Sequence, residues 1–191
     1  MAQGYKQLLT YKLAQVAFDL GWDSEDHRQR DQIKQALRSH KQNIVEGSAE
    51  RSLSAKLKLY DVARSSGMEA LEDFEDILRL LNLPKWSKND PRLAKLRLVF
   101  ESPSSPSNPS VPPVLRVLGI SEGQDGLGGR EGIEGVVNYL VDILIRNAYL
   151  MDRQIDAVEQ KHKIEGGYNE NLAKRRREYL GNKNSYFKVD N

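Results

Sequence analysis

A carboxylate and an imidazole three residues apart, Glu159 and His162, would share one helical face, the spacing with which helical bundles hold paired metal ions. Such a centre needs a second copy of the motif and further carboxylates from facing helices. No second copy exists, since Ser24 and Leu37 stand three residues before His27 and His40. A solvated helix face is the expected reading of Glu159 and His162. The glycine pairs Gly128-Gly129 and Gly166-Gly167 follow no strand and lack the lysine or the spacing of a phosphate-binding loop, so they read as hinges. No serine sits in a nucleophile elbow or in a pattern that offers a histidine and carboxylate relay. The sequence has no cysteine, which removes disulfides, thiolate zinc sites, iron-sulfur clusters and cysteine nucleophiles together. No catalytic residue, cofactor or metal is expected.

The remaining chemistry is ionic. Net charge is only +2, but it is unevenly distributed. Acids gather in Glu69, Glu72, Asp73, Glu75 and Asp76, while bases gather from Arg28 to Lys41, from Arg51 to Lys58 and in Lys174 to Arg177. Lysine and arginine that neutralise phosphates give sequence-tolerant, salt-sensitive binding to nucleic acid. The residues expected to do so are Arg38, Lys41, Arg51, Lys56, Lys58, Lys174, Arg175, Arg176 and Arg177. Asn43 and Glu46, three apart, point instead to a structural polar network. Glu46 lies near a helix C-terminus, where the dipole disfavours an anion, so Arg64 or Arg51 is expected to pair with it.

These residues need helices to hold them. Tyr5, Leu9, Leu13, Val16 and Leu20 recur at helical spacing up to Gly21. Ser24 can cap a second helix bearing Ile33, Ala36, Leu37, His40 and Ile44, ended by Gly47. Ser52 or Ser54 can cap a long third, whose stripe runs from Leu57 through Tyr60, Ala63, Gly67, Ala70, Phe74 and Ile77 to Leu81, short of Pro84. Asp90-Pro91 predicts a short helix to about Phe100. Ser102 to Pro113 holds five of the seven prolines and little to bury, which predicts an extended or disordered linker continued by Gly123 to Gly132. Helix four is expected from Ile133, with Val136, Val137, Leu140, Ile143, Leu144, Asn147, Leu150, Met151, Ile155 and Val158 on one stripe. Asn169 can cap a last short basic helix stopped by Gly181. The expected architecture is all-α: an antiparallel up-and-down four-helix bundle with its first three helices in 1–86, a short helix and linker in 87–131, and the fourth helix with a C-terminal suffix in 132–191. No apolar window is long enough to span a membrane and the polar start is no signal peptide, so a cytoplasmic protein is expected.

Gln32-Ile33, Ala36, Asn43 through Ser48, and Ala63 through Ser66 with Glu69 and Leu71, resemble the four-helix-bundle proteins that include those encoded by intervening sequences in 23S rRNA genes. The resemblance covers Tyr5 to about Trp86. A later block, Tyr149 through Gln154 and Glu165 through Tyr168, is similar to the C-terminal suffix of one branch of that family. The same fold is shared by accessory variability proteins of diversity-generating retroelements, which form homopentamers, bind RNA and assist a reverse transcriptase. The resemblance thus implies a homo-oligomer, a pentamer favoured, with RNA and a reverse transcriptase as partners. Arg38, His40, Lys41 and Gln42 depart from a stretch that is usually small and apolar, and a long linker precedes helix four. The alternative is a protein-protein scaffold whose basic residues are the wet faces of its helices.

Overall fold

The computed structural model describes residues 4–20, 27–101, 110–123 and 126–186. The expected stop at Gly21, the cap at Ser24 and the segment 102–109 lie outside them. The described residues form a 3-10 turn, Gly4–Gln7, and then seven α-helices: α1 (Leu9–Leu20), α2 (His27–Ala49), α3 (Leu53–Leu80), α4 (Pro91–Phe100), α5 (Val111–Leu118), α6 (Gly129–Glu165) and α7 (Tyr168–Tyr186). The described residues contain no strand.

Helices α1 to α6 pack together, and α1, α2, α3 and α6 close a ring in which each touches two of the others. Antiparallel order shows in the side chains that meet. Ser39 faces Ser66 while Gly47 faces Tyr60 across α2 and α3. Arg64 of α3 bonds Asp152 of α6, while Trp86, in the connection after α3, bonds Asn138 nearer the start of α6. The predicted stripes are the buried ones: Leu13, Val16 and Leu20 of α1, Ile33 and Leu37 of α2, Phe74 and Ile77 of α3, and Leu140 and Ile143 of α6. Ser52 caps α3, its Oγ accepting from the Ala55 N–H at 3.4 Å. Asp90 caps α4 by accepting from the Arg92 N–H at 2.9 Å, with Pro91 in the first turn.

The stretch between α3 and α6 differs from expectation. Instead of running as linker throughout, the chain forms α5, with Pro112 and Pro113 in the first turn, where a missing N–H costs nothing. Val114 and Leu115 are fully buried there, against α4 and α6. α6 starts at Gly129, four residues before the expected Ile133. Two glycines also fail as stops. α2 continues past Gly47 to Ala49, and the missing side chain there instead admits the Tyr60 ring, whose carbons would lie 2.6 Å from an added Cβ. α7 runs through Gly181 to Tyr186. Its start is capped by Glu170, which accepts from the Gly167 N–H at 3.0 Å, rather than by Asn169. No helix among the described residues is long and apolar enough to cross a membrane.

The apolar interior falls into two clusters. The larger joins Leu13, Ile33, Leu37, Phe74, Leu96 and Leu140. The smaller joins Ala14, Ile44, Tyr60, Ala63 and Met151. A polar layer built around His40 separates them.

Candidate nucleic-acid interface

His40 is 1% exposed, set between Leu37 and Ile44 on the inner face of α2. Its Nδ1 lies 2.6 Å from the Ala63 carbonyl oxygen, and its Nε2 lies 2.7 Å from Asn147 Nδ2 on α6. A carbonyl can only accept and an amide nitrogen can only donate, so the ring is neutral with its proton on Nδ1. Asn147 Nδ2 also donates to the Thr10 carbonyl at 3.1 Å, which ties α1 into the same layer. Gly67 provides the space, since a Cβ there would stand 2.8 Å from His40 Nδ1. Burial holds the His40 pKa below its ordinary value, opposed in part by the bond to Ala63.

This layer replaces the expected one. Asn43 donates to the Ser39 carbonyl at 2.8 Å and the Ser39 hydroxyl at 3.2 Å, and that hydroxyl meets Ser66 Oγ of α3 at 2.8 Å, so Asn43 joins a polar link between α2 and α3 that Glu46 does not share. Glu46 is exposed and accepts from Gln42 at 2.9 Å, one turn away. Arg64 pairs across the interface with Asp152 of α6. Asn43, Glu46 and Arg64 therefore form no shared network: Glu46 faces outward, and the antiparallel register carries Arg64 to α6. Accordingly, Glu46→Ala should change unfolding free energy by no more than about 0.5 kcal/mol, as for other exposed positions, in a urea titration.

A second ionic group fastens α4 to α6. Asp142, 7% exposed, accepts from Arg97 Nε at 3.0 Å and from Arg146 Nε at 2.9 Å. Arg146 Nη1 reaches Glu101 at 2.8 Å, and Glu101 accepts from the Tyr139 hydroxyl at 3.2 Å. Burial and the Glu101 carboxylate push the Tyr139 phenol well above its ordinary pKa. Two arginines balance two carboxylates, so the group is a structural clamp.

The nominated cations divide by location. Arg38 and Lys41 lie on the α1–α2 side. Arg38 lines a cleft with Phe18, Asp19 and Lys34. Lys41 Nζ sits 3.5 Å over the Phe18 ring, and its pKa is lowered by burial and by Arg38 against the pull of Asp19. At the end where α2 turns into α3 and α6 into α7, Arg51 and Arg175 come together with Lys161, which sequence reasoning missed. They line a cleft of about 260 Å³ with Leu53, Glu165, Tyr168 and Leu172. Glu165 is the one carboxylate in that lining, 3.8 Å from Lys161. Lys56 stands nearby: burial first, then repulsion from Lys161, holds its ammonium below the usual range, with Glu50 opposing. An arriving anion would relieve that repulsion. Lys58, Lys174, Arg176 and Arg177 are exposed. Among the described residues, neither Arg51 nor any of Lys174 to Arg177 forms an ion pair. Lys161 lies among alternating charges, between Glu159 and Lys163 and short of Glu165, so no run of like charge marks it; its place shortly before Gly166-Gly167 is the signal that it would meet the next helix.

Glu159 pairs with Lys163 at 3.9 Å. No group of three or more His, Asp or Glu among the described residues could hold a metal ion. No family model matches the chain, and no curated protein or solved structure does.

Proposed function

We propose that the chain is a non-catalytic RNA-binding accessory protein that engages phosphates at the end where α2 turns into α3 and α6 into α7. The observation that carries this reading is the convergence of Arg51, Lys161 and Arg175 on one cleft with a single carboxylate in its lining, beside Lys56 and beside Lys174, Arg176 and Arg177, which form no ion pair among the described residues. Structural ion pairs balance, as the Asp142 clamp does, whereas this end keeps a surplus of positive charge that a polyanion would satisfy. The ring of α1, α2, α3 and α6 fits an up-and-down four-helix bundle to which α4 and α5 are additions, which accords with the resemblance noted in the sequence. On that footing the protein self-associates, a pentamer favoured, acts in the cytoplasm, and presents its RNA to a reverse transcriptase.

Filter binding of a structured RNA at about 50 and 200 mM salt tests the reading, since several phosphate contacts should make affinity fall by orders of magnitude between them. Salt-insensitive binding, or none, would leave the protein-protein scaffold as the function.

A further inference from the structure

The cleft lined by Arg51, Lys161 and Arg175 carries more than charge. Tyr168 forms part of its wall and is 53% exposed. A phosphate contact alone has no use for an aromatic face, but a single strand does: its bases can leave their stack and rest on a ring while the phosphates meet cations. The same pattern continues along α7. At 100° per residue, Leu172, Arg175 and Tyr179 follow Tyr168 within about 40° of one line, and the two tyrosines are about 16 Å apart along the axis. Leu172 is 52% exposed and Tyr179 67% exposed, so this aromatic and basic face of α7 is uncovered. The cleft, about 260 Å³, accepts one flat group and is too small to seat a duplex.

We propose, resting on the RNA-binding reading above, that this cleft holds one nucleotide of a single-stranded RNA segment, its base stacked on the Tyr168 ring and its phosphates against Arg51, Lys161 and Arg175. Glu165, 3.8 Å from Lys161, offsets part of that cation's charge, so Arg51 and Arg175 carry the larger share of the phosphate contact. Stacking accepts any base, so the site reads strandedness and not sequence.

Fluorescence anisotropy with the full-length protein tests this, using labelled oligo(U) and a blunt RNA duplex of the same length. Oligo(U) should bind more tightly. Tyr168→Ala should weaken oligo(U) binding by about 5- to 100-fold with little change for duplex. Tyr168→Phe, which keeps the ring, should bind as the wild type does. Tyr149→Ala, an exposed ring elsewhere on α6, should have no effect, and circular dichroism should show each variant folded. Unchanged oligo(U) affinity in Tyr168→Ala, or an equal loss for both RNAs, would overturn the stacking site while leaving phosphate binding in place. Failure of the wild type to bind either RNA would remove both.

Discussion

Asp142→Ala is expected to destabilise the protein by about 3 kcal/mol, because it strips the shared carboxylate from two arginines that are themselves largely buried. Arg97 and Arg146 each spend an Nε–H on Asp142, at 3.0 and 2.9 Å, and their side chains are 30% exposed. Without the carboxylate, two positive charges face each other at the α4–α6 contact with only Glu101 left to answer them. Their remaining exposure lets water soften the loss, which places the effect at the low end for a broken buried pair. For a chain of 191 residues this corresponds to a fall in Tm of about 6–12 °C. The cleft proposed for RNA lies at the C-terminal end of α6, away from Asp142, so affinity measured well below the new Tm should stay near wild type. A Tm within a degree of wild type would mean that the clamp contributes little.

Stability should also fall as pH drops below about 6.5, and His40 should account for the difference between wild type and His40→Gln. The sign follows from the lowered pKa of the folded state. Above the ordinary histidine value both states are neutral at this position and pH has no leverage. Below it the unfolded chain takes up a proton that the folded chain refuses, since Asn147 Nδ2 offers Nε2 a donor and not an acceptor. Wild type should then lose about 1 kcal/mol over the first pH unit relative to the variant. His40→Gln will be less stable overall, having surrendered the bonds to Ala63 and Asn147, but its own profile lacks this limb. The other histidines, His27 and His162, are present in both proteins and cancel in the comparison. Parallel pH profiles would contradict the buried, neutral assignment.

The helices were legible wherever a stripe held its period, because burial of one face is the force that forms them. α5 was hidden by its own prolines, whose cost vanishes only at a helix start, while the apolar pair Val114-Leu115 that fixes it was outweighed by the serines and prolines before it. Gly47 carried no sign that it faces a tyrosine thirteen residues on. His40 and Asn147 were visible as polar residues inside apolar stripes, yet they are 107 residues apart, and no local pattern pairs them. The same limit applies to the cations. Their types and runs were plain, but which of them meet depends on the antiparallel pairing, which gathers Arg51, Lys161 and Arg175 and leaves Arg38 and Lys41 on the α1–α2 side.

That separation allows a direct test. The salt dependence of RNA affinity should be measured for wild type, for Arg51→Gln/Lys161→Gln/Arg175→Gln, and for Arg38→Gln/Lys41→Gln. If the cleft holds the RNA backbone, the triple variant should bind more weakly, with its log-log salt slope reduced by about 2 to 3, near 0.7–0.9 for each phosphate no longer neutralised. The double variant should keep the wild-type slope. A folded triple variant that retains wild-type affinity and slope would contradict the account.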